Sequence, residues 1–208
     1  LNNQDFRNYL DKNFKFEKNP SFIVAVSGGP DSMALVFLLN AWNKVVKGKL
    51  LALIINHNMR ENSLEEACKV SKYLQLHKIK SKILSVEKNY INKKNMNEAR
   101  LNRFNLLTNY CVKNNIFYLF LAHHKDDNLE TFISRKLGGS DFSGLKSINE
   151  ISLRNKTILI RPLLNYSKKE IIKYNFKNKI EFIQDPSNFN YKFSRPLIRQ
   201  FITESSEN

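Results

Sequence analysis

The sequence predicts an α/β fold, a doubly wound and mainly parallel sheet of five strands with helices on both faces. Short apolar runs alternate with longer segments of helical periodicity, which is the pattern of strand–helix units. The apolar runs are nearly continuous, as is typical of parallel strands buried on both faces. In such folds, ligands bind beyond the carboxyl ends of the strands.

The first unit begins with Ser21–Val26, a short apolar run that ends at Gly28-Gly29, as a buried strand does. Ser32–Val45 follows with apolar residues on most of its turns, so it predicts a broadly apolar helix. Leu50–Ile55 is wholly apolar and predicts a second buried strand.

The second unit continues with a helix that begins at Ser63 and runs to about His77. Glu66 follows Ser63 at the spacing of a capping box, which predicts that Ser63 caps the helix. Ile79–Val86 predicts the third strand, because Lys80 and Lys82 alternate with less polar residues.

The remaining units repeat the pattern. Asn95–Asn115 predicts a long helix, Phe117–Ala122 a fourth buried strand and Lys125–Leu137 a further helix. The elements after these are, in order, a glycine-containing loop from Gly138 to about Asn155, a fifth strand Thr157–Ile160, a helix Ser167–Tyr174 and a last helix from about Arg195.

The size and composition indicate one domain. The chain has 208 residues, with an expected core at about 20–180, a C-terminal motif segment 181–202 and a polar tail 203–208. No apolar run approaches the roughly 18 residues of a membrane helix, and no signal peptide is visible at the start. Cys68 and Cys111 form no metal-ligand pair, so we expect buried free thiols, a cytoplasmic location and no membrane partner.

The charge is strongly positive. A net charge of +15 indicates a polyanionic partner. Part of the lysine excess accompanies a high asparagine content and can reflect codon bias, so the arginines are more informative. Most of them lie in the motifs described next, at Arg60, Arg100, Arg103, Arg161, Arg195 and Arg199.

The loop after the first strand carries the pattern of a phosphate-binding turn. Gly28 and Gly29 allow a tight turn, Ser27 and Ser32 add hydroxyl groups, and the next helix directs its positive end at the same point. Asp31 can cap that helix or hold Mg²⁺. The segment has neither a GxxxxGK[ST] nor a GxGxxG pattern. A plain Gly-Gly-Pro turn is the alternative interpretation.

A second cluster follows the fourth strand, where Ala122–Thr131 reads AHHKDDNLET. Asp126 and Glu130 are four residues apart on one helical face, and Asp127 reaches a neighbouring edge of that face. Three carboxylates beside two imidazoles, His123 and His124, predict a chemical role. The alternative is that acidic residues favour helix N-termini.

Arginines and histidines mark two more segments. His57 and Arg60 follow the second strand, where a loop can frame a nucleotide; a structural histidine is equally compatible. Arg100 and Arg103 are three residues apart on one helical face bordered by Phe104, an arrangement suited to a phosphate backbone and an unstacked base. A solvated basic face is the alternative there.

Taken in order, these motifs resemble the tRNA(Ile)-lysidine synthetase family of PP-loop ATP pyrophosphatases, whose fold is Rossmann-like. The resemblance extends from about Ser21 to Ile202 and includes RPLL at Arg161–Leu164 and the closing pair Arg195 and Arg199. Met59 replaces a usual leucine and Asn128 a usual glutamine, and the match to the glycine-rich loop after Leu137 is loose.

The resemblance implies a ligase that joins free L-lysine to C2 of the wobble cytidine of tRNA(Ile) with a CAU anticodon. It implies an adenylated cytidine intermediate, with ATP and Mg²⁺ as cofactors. Three alternative functions stay open: a tRNA thiolase, a small-molecule ligase of the same superfamily, and a non-catalytic RNA-binding module. A homodimer is a further open possibility for the assembly.

The resemblance also implies roles for individual residues. The expected ATP-binding residues are Ser27, Gly28, Gly29, Pro30, Asp31, Ser32, His57, Arg60, His123 and His124, with Asp31 also at Mg²⁺. The expected catalytic residues are Asp31, Asp126, Asp127 and Glu130. The expected tRNA- or lysine-binding residues are Arg100, Arg103, Phe104, Arg195 and Arg199.

Overall fold

The structure of the protein is a computed structural model that describes residues 1–56, 62–86, 96–137, 139 and 148–183, with only the backbone of 96–99. The elements are α1 (Asn3–Asn13), β1 (Ser21–Val26), α2 (Pro30–Val46), β2 (Lys49–Asn56), α3 (Ser63–Leu76), β3 (Ser81–Ser85), α4 (Met96–Lys113), β4 (Tyr118–Phe120), α5 (Lys125–Leu137), β5 (Ile151–Arg154), β6 (Thr157–Ile160) and α6 (Lys168–Lys177). Among the described helices, none combines the length and apolar character needed to cross a membrane.

The six strands form one sheet in the order β3-β2-β1-β4-β6-β5, and all neighbours are parallel except β5 and β6. β1 lies between β2 and β4, with Phe22 in register with Leu50 on one side and Tyr118 on the other. The chain therefore winds outwards from β1 in one direction and then in the other. This confirms the doubly wound, mainly parallel sheet, and it places the loop after β1 at the topological switch point.

The predicted strand count of five is wrong, because β5 lies in the segment predicted to be loop. β5 and β6 form a hairpin whose two turn residues, Asn155 and Lys156, have φ values of 46° and 59°. Positive φ at both positions is the geometry of a tight hairpin turn that suits the twist of the strands. The usual glycine is absent from this turn, and the apolar–polar alternation of Ile151–Arg154 is only four residues long, so the local signal for β5 is weak.

Two other local predictions differ from the structure. α1 was not predicted; the side chain of Asn2 caps it by accepting from the Asp5 amide, and Phe6 and Leu10 bury against the core. The capping box expected at Ser63 is wrong, since Asn62 occupies the N-cap position of α3. A complete capping box occurs instead at the start of α6, between Ser167 and Glu170.

Each face of the sheet has its own apolar core. The larger core packs α1, α2, α3 and α6 against one face, where Phe22, Val24, Phe120 and Ile160 point. The smaller core packs α4 against the other face, where Ile23, Leu119, Leu121 and Leu159 point. Because side chains alternate along a strand, neighbouring residues at a strand end reach different layers.

Candidate active site at the carboxyl edge of the sheet

The segment Ser27–Ser32, here called the phosphate loop, connects β1 to α2. Ser32 Oγ accepts from the Ser27 amide at 3.1 Å and donates to the Gly29 carbonyl at 3.0 Å, and the Gly29 amide donates to Ser27 Oγ at 3.4 Å. Gly29 is the N-cap of α2 and Pro30 follows at its first position. The loop is thus fixed by its own hydroxyl groups at the positive end of a helix, where an anion binds favourably.

The two glycines of the phosphate loop are required to different degrees by the fold. Gly28 has φ of 85°, and a Cβ there would lie 2.7 Å from Val70 Cγ2. At Gly29 a Cβ would meet only Ser27 Oγ, at 3.5 Å. Packing and backbone conformation therefore demand glycine at 28, whereas the fold leaves room for a Cβ at 29.

The chain from α6 to Ile183 holds the phosphate loop at three points. Lys168 Nζ lies 2.6 Å from both carboxylate oxygens of Asp31, Asn175 Nδ2 donates to the Pro30 carbonyl at 2.8 Å, and the Ile183 amide donates to the Gly28 carbonyl at 2.8 Å. Sequence reasoning missed Lys168 and Asn175. The sequence predicts the helix Ser167–Tyr174, but nothing in a lysine-rich sequence singles out one lysine.

Three carboxylates surround the buried imidazole of His124, which follows β4 and forms an isolated parallel bridge with Leu163. His124 Nε2 lies 3.5 Å from Asp127 Oδ2 and 3.8 Å from Asp31 Oδ1, and Nδ1 lies 4.0 Å from Asp126 Oδ2. The structure therefore brings four of the predicted residues together next to the phosphate loop. Glu130 is buried one turn further along α5.

The carboxylates of α5 also stabilise backbone. Asp127 Oδ2 accepts from the His124 amide at 3.0 Å, and Asp126 Oδ2 accepts from the amide of Lys168 at 3.0 Å. The preference of acidic residues for helix N-termini therefore accounts for these two hydrogen bonds. It does not exclude chemistry, because such bonds hold each carboxylate in one position beside His124, as a preorganised site requires.

His123 lies apart from this group. Its pKa is lowered to about 3, first by burial and then by the positive charges of Arg161, Arg100, Arg103 and His124. Its buried Nδ1 has no hydrogen-bond partner within the described residues. A neutral imidazole among guanidinium groups has a different environment from that of His124 beside three carboxylates.

The ring of Phe104 is 6% exposed, and three guanidinium groups cover it. The central carbons of Arg100, Arg103 and Arg154 lie 5.6, 5.4 and 5.3 Å from the ring centroid. Arg154, which the sequence did not single out, also donates to Asn105 Oδ1 at 3.1 Å. Phe104 thus supports the guanidinium groups through cation–π contacts.

Several expected site residues fall outside the residues that the structure describes: His57, Arg60, Arg195, Arg199 and the last predicted helix. Within the described ranges, no cluster of three or more His, Cys, Asp and Glu side chains has an arrangement that could hold a metal ion. Any cation at Asp31 would need oxygen ligands from a substrate as well.

Comparison with known proteins agrees with this architecture. Residues 2–206 match the family described as PP-loop domain. The chain is 40% identical over 187 residues to the tRNA(Ile)-lysidine synthase of Orientia tsutsugamushi (strain Boryong), covering 90% of this chain and 42% of that protein. It is 41% identical over 189 residues to the enzyme of the same name from Wolbachia pipientis wMel, covering 90% and 44%. The chain therefore spans less than half the length of these curated relatives.

Among solved structures, the U34-tRNA thiolase NcsA from Methanococcus maripaludis, with its 4Fe-4S cluster, matches with a TM-score of 0.79 and 19% identity. That match covers 98% of this chain and 73% of the thiolase. NMN synthetase from Francisella tularensis matches with a TM-score of 0.57 and 14% identity, covering 97% and 84%. At these identities the likeness shows the fold alone.

Proposed function

The chain belongs to the PP-loop domain family, and we propose that it is the catalytic part of a tRNA(Ile)-lysidine synthase. The reaction joins free L-lysine to C2 of the wobble cytidine of tRNA(Ile) with a CAU anticodon and converts ATP to AMP and pyrophosphate. The observation that carries the proposal is the convergence of the phosphate loop, Lys168 and the His124 carboxylate group at one edge of the sheet. The similarity to curated lysidine synthases supports it.

The phosphate loop is the proposed site of the ATP triphosphate. Departing pyrophosphate needs dense hydrogen-bond donors and a cation, and the loop offers hydroxyl groups and a helix N-terminus. Lys168 supplies an ammonium group beside a loop whose sequence has no lysine of the GxxxxGK[ST] kind. We assign it to the phosphates of bound ATP, together with loop residues Ser27 and Ser32.

Asp31 is the proposed Mg²⁺ ligand. Both of its oxygens accept from the Lys168 ammonium, so a metal ion would take this place once the phosphates of ATP draw the ammonium away. One carboxylate combined with phosphate oxygens is a usual way for proteins to bind Mg²⁺. When bound, the ion would offset negative charge on the phosphates as the pyrophosphate departs.

The acids of α5 are the proposed proton acceptors. In the first step the cytidine O2 displaces pyrophosphate from the α-phosphate, and in the second the ε-amine of lysine displaces AMP from C2. A free lysine ammonium has a pKa of about 10.4 and must lose a proton before it can attack. Asp126 and Asp127 are held in place beside His124, and Glu130 lies one turn along the same helix, so these three are assigned to accept it.

The direct test supplies the chain with Mg²⁺, ATP, radiolabelled L-lysine and a tRNA(Ile) transcript with a CAU anticodon. The expected result is lysine incorporation with stoichiometric AMP, which is lost when the wobble cytidine is replaced by uridine. Asp31→Asn should abolish both products in the same assay. Absence of AMP and of incorporated lysine with the unsubstituted chain would refute the proposal.

A tRNA thiolase is the second candidate, because a thiolase shares the fold. The two cysteines argue against it. Cys68 lies on α3 and Cys111 on α4, so they belong to layers on opposite faces of the sheet. Burial raises the pKa of the Cys111 thiol to about 11, which keeps it protonated. Supplying sulfide in place of lysine should therefore give no thiolated tRNA.

A further inference from the structure

Tyr73 on α3 forms two hydrogen bonds to the chain that follows α6. Its hydroxyl oxygen accepts from the Glu181 amide at 2.9 Å and donates to the Lys179 carbonyl at 3.4 Å. Tyr73 and Glu181 are 108 residues apart in the chain. We call residues 179–183 the connecting segment. One side chain therefore supplies both an acceptor and a donor to the backbone of this segment.

The ring of Tyr73 is held by two other rings. Its centroid lies 6.1 Å from that of Phe37 on α2 and 4.7 Å from that of His77 at the end of α3. The centroids of Phe37 and His77 are 4.9 Å apart. Tilted and edge-on ring pairs at these separations are favourable. α2 and α3 therefore fix the direction of the Tyr73 hydroxyl independently of the connecting segment.

The connecting segment contacts the phosphate loop at Gly28, where the Ile183 amide donates to the Gly28 carbonyl at 2.8 Å. A Cβ on Gly28 would lie 2.7 Å from Val70 Cγ2 and 3.3 Å from Ile183 Cδ1, so both side chains lie close to this glycine. Val70 and Tyr73 are three residues apart on α3 and share a face. That face therefore reaches Gly28 directly through Val70 and indirectly through the bonds of Tyr73 to the connecting segment.

The contact at Gly28 sets the orientation of the next peptide group. The Gly28 carbonyl and the Gly29 amide belong to one peptide plane, which is trans, so they point in opposite directions. Since Ile183 holds the carbonyl, the Gly29 amide is directed towards Ser27, where it donates to Oγ over a long 3.4 Å. A phosphate oxygen is a stronger acceptor than a hydroxyl group and can take over this amide.

The hydrogen bonds of Tyr73 stabilise the fold weakly but are well placed. The bonded groups are exposed, so water can replace the hydroxyl and the folded state loses little without it. The bond from Glu181, however, lies between two other anchors of the connecting segment. These are the Ile180 amide, which donates to the Asn175 carbonyl at 2.9 Å, and the Ile183 amide at the phosphate loop. Loss of the hydroxyl would let the backbone between these anchors shift while the fold stays intact.

We propose that Tyr73 is a positioning residue for the triphosphate of ATP, an inference that rests on the proposed function. Its hydroxyl fixes the connecting segment, and the Ile183 amide of that segment fixes the Gly28 carbonyl. The peptide plane then directs the Gly29 amide at the phosphates. Tyr73 acts through these groups and is assigned no contact of its own with ATP.

Tyr73→Phe tests the proposal because it keeps the ring and deletes only the hydroxyl. We expect the KM for MgATP in lysine ligation to rise about fivefold, as for one misplaced hydrogen bond, with kcat and the KM for lysine within about twofold of the unsubstituted chain. Tyr118→Phe is the matched control. It deletes a hydroxyl that donates to Glu17 at 2.7 Å at the start of β4. This control should change none of these constants by more than about twofold.

Direct binding separates the role of Tyr73 from the ligase reaction. In calorimetric titrations of Tyr73→Phe, the Kd for MgATP should rise about fivefold and the Kd for AMP by less than about twofold, because AMP lacks the β- and γ-phosphates. Unchanged MgATP affinity, an equal loss for AMP or an equal loss in Tyr118→Phe would overturn the role of Tyr73. So would a failure of the unsubstituted chain to bind MgATP.

The two proposals fail in distinguishable ways. A chain whose MgATP affinity depends on Tyr73 but that never joins lysine to tRNA would keep the positioning role and refute the ligase. Lysine ligation with the same KM for MgATP in Tyr73→Phe and in the unsubstituted chain would keep the ligase and refute the positioning role.

Discussion

Lys168 on α6 places its ammonium group 2.6 Å from both carboxylate oxygens of Asp31, although 137 residues separate the two in the chain. Both side chains are partly exposed, at 36% and 25%. An ion pair of this kind contributes little to stability because solvent screens it. Under the proposed function the pair serves the ligand, since an incoming triphosphate would take the ammonium and leave the carboxylate for a metal ion.

Lys168→Met should therefore impair nucleotide binding more than folding. We expect the affinity for MgATP to fall roughly tenfold, because one charge-assisted contact is lost. The free energy of unfolding should change by less than about 1 kcal/mol. Calorimetric titration and urea unfolding measure the two quantities. Lys169→Met removes a neighbouring exposed lysine as a control, and an equal loss of affinity in that variant would contradict the assignment.

Gly28→Ala and Gly29→Ala should fail in different ways. Alanine at 28 meets Val70 at 2.7 Å in a left-handed backbone conformation, so we expect a loss of about 1–3 kcal/mol in unfolding free energy. Alanine at 29 fits the fold, so the melting temperature of the Gly29→Ala variant should stay near that of the unsubstituted chain. Its affinity for ATP should fall. Melting and ATP-binding curves of the two variants check this, and a destabilised Gly29→Ala would show that the fold alone requires that glycine.

Asn175→Ala should remove one of the contacts that attach the phosphate loop to α6. The buried amide donates to the Pro30 carbonyl, and an acceptor left without its donor typically costs about 1–3 kcal/mol of stability. The KM for ATP should rise more than kcat falls, because Asn175 positions the loop without touching substrate. As a control, Asn178→Ala deletes a hydrogen bond of the same 2.8 Å length, which Asn178 Nδ2 donates to the Tyr174 carbonyl at the exposed end of the helix. A variant of Asn175 with normal KM would limit the residue to a structural role.

His123 should make stability depend on pH below neutrality. Burial and neighbouring positive charges lower its pKa from 6.5 to about 3, so between those values the unfolded chain binds a proton that the folded chain does not. Stability therefore falls as pH drops from about 6.5 towards 3, by up to ~1.4 kcal/mol per unit. His123→Gln should reduce that slope in urea unfolding measured at several pH values. An imidazole resonance of His123 that titrates near pH 6.5 in the folded protein would disprove the shift.

The sequence by itself determined the elements whose signals are local. The predicted bounds of Lys125–Leu137 and Thr157–Ile160 are those observed, and the loop at Ser27–Ser32 lies at the predicted end of the first strand. Helical periodicity, apolar runs and glycine pairs depend on near neighbours in the chain. That is why the sheet could be predicted, apart from a hairpin whose turn lacks glycine.

Only the tertiary structure decided which side chains meet. The pairing of Lys168 with Asp31 depends on how α6 returns to α2, and no spacing in the sequence encodes that return. The motif suggested that His123 and His124 act together, yet His124 lies beside Asp31 whereas the pKa of His123 is lowered by burial and by the charges of three arginines. Contacts between distant side chains depend on which faces of the helices and strands pack against each other. The residues next to each side chain in the sequence do not specify that packing.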